Sequence, residues 1–497
     1  MDYSGFLDGL LASLTLTNLL FGILGTILGT LVGVLPGIGP ALAISLLLPV
    51  TFQVEPTSAL IMFCAIYYGT MYGGSTTSIL LNAPGESGSV MTTIEGNKMA
   101  KAGRAGAALA TAAIGSFVAG AIATGLLALG APAIAELGLR LQPNDFFALM
   151  VLAFGTVSAV MGQSLVRGLI ALMMGLGIGL IGQDVGSGIP RMTFGSADLL
   201  EGVSSVTIIV AVFALGEALY VAFRGQLGRA NINTFKGAAI MTKDDWKRSW
   251  KPWLRGTAIG FPSGVLPSGG SELPTLLSYS LEKRLAGKNS QFGKGAIEGV
   301  AGPEAANNAN AAGALVPLLA LGLPTSATAA VLLSAFQQFN VQAGPLLFVN
   351  NSQLVWTIIG ALFIGNLLLL IINLPLVKVW VQLLRIPSPF LYAGILLFAM
   401  VGAYAIDMSM TNLLLTVAVG VIGLLFRRFG YPITPLVLGV ILGPEAEVQL
   451  RRAYQISQGE PMTLVSTGFS VVIYTALLLA IIGPRIWRLV KNSKSKA

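Results

Sequence analysis

Two runs of glycine and hydroxyl residues interrupt apolar segments of this 497-residue chain: Tyr72-Gly73-Gly74-Ser75-Thr76-Thr77-Ser78 and Gly322-Leu323-Pro324-Thr325-Ser326-Ala327-Thr328. Each is soon followed by apolar residues, Ile79-Leu80-Leu81 and Val331-Leu332-Leu333. This pattern suits an anion. The first N–H groups of a helix are unpaired and lie at the positive end of its dipole. Glycine lets the backbone approach a ligand, and Ser and Thr hydroxyls donate without adding charge. Gly73, Gly74, Ser75, Thr76 and Thr77, with Pro324, Thr325 and Ser326, are therefore the predicted substrate-binding set, for a carboxylate. The competing account is helix capping or hydrogen bonding across helix contacts. Asn82, Asn307 and Asn308 extend the set as amides that both donate and accept, although interhelical bonding explains them equally well.

Acidic residues in apolar surroundings are few. Glu272 and Glu304, with Asn310, are the cation-coupling candidates, because an intramembrane carboxylate is expensive unless it pairs, binds a cation or carries a proton. Sodium fits oxygen ligands of this kind. The chain has no histidine, which leaves proton coupling to carboxylates and makes sodium the better expectation. Pairing of Glu272 with a Lys or Arg at a cytoplasmic mouth is the alternative. No other cofactor and no metal beyond sodium is expected. Asp145, Asp184 and Asp407 fall at predicted span ends.

Catalysis is poorly served. Without histidine there is no Ser-His-Asp triad and no His-ligated zinc, and the single cysteine, Cys64, excludes an intrachain disulfide or a CxxC site. The chain reads as a non-enzyme. Its 29 Lys+Arg against 21 Asp+Glu give +8, read as cytoplasmic-loop charge rather than a nucleic-acid footprint. Lys98, Lys101 and Arg104 are explained in the same way.

The elements that must position these residues lie in lipid. Only 10% of the residues are charged and 54% are hydrophobic, with 61 glycines and a mean hydropathy of +0.80; soluble proteins carry about 25% charged residues. An all-α polytopic membrane protein of about 11 to 12 spans follows from counting apolar stretches of spanning length. An internal repeat organises it. Gly33-Val34-Leu35-Pro36-Gly37-Ile38-Gly39-Pro40 recurs as Gly264-Val265-Leu266-Pro267-Ser268-Gly269-Gly270-Ser271, and each copy precedes one of the interrupted segments. Gly37, Gly39, Gly269 and Gly270 are the predicted helix-break glycines.

Each repeat reads as a re-entrant hairpin, then a Gly/Pro-broken helix, then further spans. Residues 1–16 are expected outside, and 17–223 form repeat 1, with hairpin 17–52 and broken helix 54–84. Residues 224–255 are a basic linker whose Trp246, Trp250 and Trp253 mark an interfacial helix. Residues 256–448 form repeat 2, with hairpin 256–280 and broken helix 296–337, and 449–497 hold the final span and a basic cytoplasmic tail. Basic clusters as cytoplasmic anchors invert the second copy relative to the first, an architecture of secondary transporters.

The sequence resembles the large membrane subunit of the tripartite tricarboxylate transporter family. The resemblance rests on Tyr67-Tyr68-Gly69-Thr70-Met71-Tyr72-Gly73-Gly74-Ser75, Asn82-Ala83-Pro84-Gly85, Lys101-Ala102-Gly103-Arg104-Ala105-Gly106, Gly264-Val265-Leu266-Pro267-Ser268-Gly269-Gly270, Gly302-Pro303-Glu304-Ala305-Ala306-Asn307-Asn308-Ala309 and Pro317-Leu318-Leu319-Ala320-Leu321-Gly322-Leu323-Pro324. It implies cation-gradient uptake of a di- or tricarboxylate across the bacterial cytoplasmic membrane, delivered by an extracytoplasmic solute-binding protein, with a small membrane subunit of about four spans as partner. Glu95 stands where an Asp-Gly pair would place Asp, and Thr325 where Gly is expected. An uncoupled pore or scaffold subunit is the alternative function.

Overall fold

A computed structural model describes residues 5–160, 164–184, 186–225, 238–267, 270–287 and 290–479. The described chain is helical almost throughout. In order, the helices are α1 Gly5–Ser13, α2 Leu16–Gly33, α3 Pro40–Leu47, α4 Pro56–Leu81, α5 Val90–Lys101, α6 Ala105–Gly138, α7 Pro143–Val160 and α8 Leu165–Gly179. Next come α9 Ser205–Ile209 and α10 Gly216–Arg224, joined without a break through a π-helical stretch, Val210–Leu215. They are followed by α11 Lys243–Val265, α12 Glu272–Leu285, α13 Glu298–Leu321, α14 Ala327–Gln338, α15 Leu347–Asn350, α16 Ser352–Leu383, α17 Ser388–Asp407, α18 Met410–Phe429 and α19 Ile433–Ile456. Two short strands, Gly182–Gln183 and Pro190–Arg191, pair antiparallel.

Among the described residues, seven helices are long and apolar enough to cross a membrane: Leu16–Gly33, Ala105–Gly138, Ser205–Arg224, Ser352–Leu383, Ser388–Ile406, Met410–Phe429 and Ile433–Ile456. Four shorter apolar helices accompany them, the last being Gly468–Leu479. The fold is that of an all-α polytopic membrane protein.

The chain divides into two compact units, Met1–Gly138 with Ile209–Leu424, and Leu139–Ile208 with Leu425–Ala497. In the second unit α19 packs on α7 and α8. In the first, α2 packs on α4, and α11 on α13, which also lies against α6. Lipid supplies no hydrophobic drive between helices, so tight backbone approach must do the work. It does so in the same way twice. A Cβ placed on Gly25, Gly29 or Gly33 would lie 2.3 to 2.5 Å from the carbonyl oxygens of Met62, Ile66 and Thr70. One on Gly256, Gly260 or Gly264 would lie 2.2 Å from those of Gly302, Ala306 and Asn310. The first set of glycines is offset from the second by 231 residues, and the carbonyls they face are offset by 240.

Three expectations change. α4 runs unbroken through Tyr72–Ser78, so the helix expected to break within 54–84 does not break there. Gly73 is tolerated mid-helix because the backbone of Gly33 and Val34 occupies the space of its side chain, with a built Cβ 2.7 Å from each. Second, α11 begins at Lys243, so the first arm of the hairpin expected over 256–280 extends into the expected linker. Trp253 is buried there rather than interfacial, while Trp246 and Trp250 are exposed. The Thr242 hydroxyl caps α11, accepting from the Asp245 N–H at 3.1 Å. Third, Gly269 and most of the basic tail, from residue 480 onward, lie outside the described residues.

Candidate functional site

The two hairpins turn at the repeated octapeptide. α2 ends at Gly33 and α3 starts at Pro40, with Gly39 as its N-cap and Pro40 at the first helical position. Between them Gly37 takes φ +79°, and its N–H donates to the Gly85 carbonyl at 3.1 Å. α11 ends at Val265 and α12 starts at Glu272, with Gly270 at φ +136°.

The real break after α4 lies ten residues beyond Tyr72, at Asn82-Ala83-Pro84-Gly85. Asn82 ends the helix in the left-handed conformation, φ 58°, which Asn tolerates. α13 ends likewise at Gly322, φ 69°, before Leu323-Pro324-Thr325. Asn82 to Gly85 and Gly322 to Thr325 stand 240 residues apart, the offset of the two long helices. Both breaks touch the preceding hairpin at the same carbonyl. A Cβ on Gly85 would lie 2.6 Å from the Gly33 oxygen, and the Thr325 hydroxyl donates to the Gly264 oxygen at 2.9 Å. Thr325, the residue that replaces an expected Gly, thus fills space that Gly85 leaves to backbone.

Each break is followed by an N-cap residue. Glu86 caps the 3₁₀ turn Ser87–Ser89, and Asn307 of α13 donates its Nδ2 to Glu86 Oε1 at 2.8 Å. Ser326 caps α14, accepting the Ala329 N–H at 3.2 Å, and α14 packs against α4. Glu86 and Ser326 are 240 apart, and so are Tyr67 and Asn307.

Glu304 is fully buried one helical turn before Asn307. Its carboxylate accepts hydrogen bonds from the Ser75 and Thr92 hydroxyls, which come from α4 and α5. Thr77 donates to the Val34 carbonyl at the first hairpin break, and Thr76 is buried beside the Tyr72 phenol. Thus Ser75, Thr76 and Thr77 lie inside a helix and do not open one; Ser75 bonds a side chain and Thr77 a carbonyl, while the Thr76 hydroxyl has no hydrogen-bond partner. Pro324, Thr325 and Ser326 do precede a helix, as expected, and all three are buried.

The asparagines separate. Asn307 faces Glu86, whereas Asn308 donates to Ser116 Oγ of α6 at 2.7 Å and to the Glu304 carbonyl at 3.1 Å, an interhelical role. Asn310 is buried, and its Nδ2 has no hydrogen-bond partner. Asn82 is exposed and serves as a helix end. Glu272 is exposed in the first turn of α12, outside the buried cluster. Lys98 donates to the Gly293 carbonyl at 2.7 Å, and Arg104 pairs with Asp245, so both charges are engaged in structure.

Sequence reasoning missed Glu86 and Thr92. The signal for Glu86 was present in its 240-residue offset from Ser326, but the hairpin offset of 231 conceals it. Glu95 also gains a role. It accepts from Tyr279 Oη at 2.9 Å and from the N–H groups of Gly293, Gly295 and Ala296 at 2.6, 2.8 and 3.0 Å, fastening α5 to the segment that leads into α13.

Paired helix breaks facing buried carboxylates and hydroxyls, in a polytopic helical chain, define a membrane transport component. Residues 19–438 match the tripartite tricarboxylate transporter TctA family, and the chain belongs to that family. An uncharacterized 52.8 kDa protein from the TAR-I ttuC' 3' region of Agrobacterium vitis is 43% identical over 85% of this chain and 84% of its own length. An uncharacterized protein from the TAR-II ttuC' 3' region of the same organism is 43% identical over 41% of this chain and 84% of its own length. No solved structure matches.

Proposed function

We propose that this protein is the permeation subunit of a secondary uptake system for a di- or tricarboxylate of the citrate type, driven by a cation gradient, with sodium favoured over protons. An extracytoplasmic solute-binding protein delivers the substrate, and a small membrane subunit of about four spans completes the complex in the cytoplasmic membrane. The N-terminus lies outside and the C-terminus in the cytoplasm. The two halves are inverted copies, related by a pseudo-twofold axis.

The observation that carries this reading is the bond from Asn307 of α13 to Glu86 at the first break, with α14, which starts at the second break, packed on α4. It supports two breaks facing one another, one acidic and one lined with hydroxyls. The start of α14, with Thr325 and Ser326, offers a carboxylate neutral donors and a helix dipole without a buried counter-charge.

Reconstitution of the chain with its binding protein and small subunit in proteoliposomes tests it. Uptake of radiolabelled citrate or a related dicarboxylate is expected to fall to background when the sodium gradient is collapsed. Uptake indifferent to collapse of both sodium and proton gradients would identify an uncoupled pore instead.

A further inference from the structure

The structure gives the cation an address. We propose that the oxygens converging on Gly88 form a sodium site, with Glu86 Oε1, Asn307 Oδ1 and Ser271 Oγ as ligands. The proposal rests on the cation-coupled reading above and assigns residues to it.

Gly88 is buried, and its missing side chain leaves a cradle. A Cβ there would lie 2.2 Å from Ser271 Oγ, 2.3 Å from Asn307 Oδ1 and 2.8 Å from Glu86 Oε1. These oxygens come from three segments far apart in sequence: the turn after α4, the start of α12 and the middle of α13. All three residues are buried, at 8%, 0% and 4% exposure for Glu86, Asn307 and Ser271. Asn307 Oδ1 is a buried acceptor with no hydrogen-bond partner, although the Nδ2 of the same amide is satisfied by Glu86. A buried acceptor without a partner is costly, and a cation among these oxygens relieves that cost. Here Glu86 Oε1 and Asn307 Oδ1 only accept and Ser271 Oγ has lone pairs to offer, so a cation satisfies all three oxygens at once.

The balance of donors and acceptors selects a monovalent ion. A carboxylate and an amide oxygen only accept, and the serine hydroxyl presents lone pairs as well. Among the described residues, no Lys or Arg pairs with Glu86 or Glu304. The Glu304 oxygens are taken by Ser75 and Thr92, so Glu304 contributes negative field one turn from Asn307 rather than a ligand. One carboxylate with neutral oxygens matches a hard ion of single charge, which backbone and side-chain oxygens hold in helix breaks of this kind. The second half carries no glycine at the equivalent position. The residue 240 positions on from Gly88 is Thr328, whose side chain occupies the corresponding place in the sequence.

The test uses the full-length chain in lipid nanodiscs, with sodium titrated against choline at constant ionic strength and the rise in unfolding temperature read as binding. Sodium is expected to stabilise the protein where choline does not. Glu86→Gln, isosteric but uncharged, and Gly88→Ala, which puts a methyl group among the three oxygens, should each weaken the apparent sodium affinity about tenfold or more. Cys64→Ala, buried on α4, should titrate as the parent does. Ser271→Ala, which removes one hydroxyl at a helix start, is expected to follow the two site variants, and it decides the question if either of them fails to fold. Indifference of the parent protein to sodium, a stabilisation that follows pH alone, or parental titration by Glu86→Gln and Ser271→Ala would overturn the site. Uptake assays separate this failure from failure of the coupling. Sodium binding lost in the variants, in a transporter whose uptake ignores sodium, would refute coupling and leave the site. Sodium-driven uptake unchanged by Glu86→Gln would refute the site and leave coupling.

Discussion

The pair α2 and α4 and the pair α11 and α13 share one skeleton and differ in chemistry. In both, three glycines at four-residue spacing bring two backbones together, a hairpin turns at the same octapeptide, and the long helix ends in a left-handed residue before Pro. At equivalent positions the first half has Gly85 and Glu86, the second Thr325 and Ser326. On the long helices, Tyr67 answers Asn307, and Cys64 answers Glu304. The acidic residues thus gather where α13 meets the first break, and the neutral hydroxyls where α4 meets the second. The packing is shared by both halves, while the side chains at the breaks differ, acidic at the first and hydroxyl at the second.

The comparison breaks most severely if the shared skeleton is attacked. Gly29→Leu and Gly260→Leu each force a branched side chain against a carbonyl, and each is expected to cost about 3 kcal/mol. Both should abolish folded yield in fluorescence-detected size exclusion. Normal yield from one alone would show that the halves do not depend equally on close approach.

The next test separates the halves by charge. Glu304→Gln keeps the shape and removes the charge, and it is expected to shift the sodium dependence of uptake about tenfold, or about 1.4 kcal/mol. An unchanged sodium titration counts against Glu304. Cys64→Ala, at the equivalent position, should leave that titration where it was.

Thr325→Val removes the bond to the Gly264 carbonyl, worth about 0.5–1.5 kcal/mol. Ser75→Ala removes one of the two hydroxyls on Glu304. Both are expected to impair transport with little change in folded yield, and normal transport by both would remove them from the site. A double-mutant cycle of Glu86→Ala and Asn307→Ala, across the bond from Asn307 Nδ2 to Glu86 Oε1, should return a coupling of about 0.5–1 kcal/mol. Additive effects would mean that this brace is not energetically linked.

The smallest expected effect lies in the other unit. Asp184, in the loop after α8, is held below the ordinary aspartate range near 3.8 by the Ser187 backbone N–H first, and then by Arg451 and the Ser187 hydroxyl. A carboxyl depressed on folding contributes stability that is present above its unfolded pKa and lost as pH falls through the folded value. Acid below about pH 4 should therefore loosen this loop, and Asp184→Asn should blunt that response in limited proteolysis, with no change at neutral pH in the sodium titration.

Much of this was legible in the sequence. The lipid-facing composition, the repeated octapeptide and the break at Gly322–Ser326 needed no coordinates, because proline and glycine stop helices by local geometry. The first break was misplaced because Gly73-Gly74-Ser75-Thr76-Thr77 has the composition of a break. What keeps those residues helical is nonlocal: the Gly33 and Val34 backbone against Gly73, and Val34 and Glu304 as acceptors for Thr77 and Ser75. The partner of Ser326 was hidden by register. The offset changes from 231 at the hairpins to 240 at the long helices, where α12 has 14 residues and α3 has 8. Glu86, in an otherwise plain Gly-Glu-Ser-Gly, therefore attracted no attention.

The brace at the first break carries a thermodynamic consequence. Because Glu86, the cap of the first half, is held by Asn307 on the long helix of the second, an event at Glu86 is felt along α13, and α13 leads straight to the break that opens α14. For the cation and the carboxylate proposed above, the two sites then share one helix. Whatever factor the first adds to the affinity of the second, the second must return to the first.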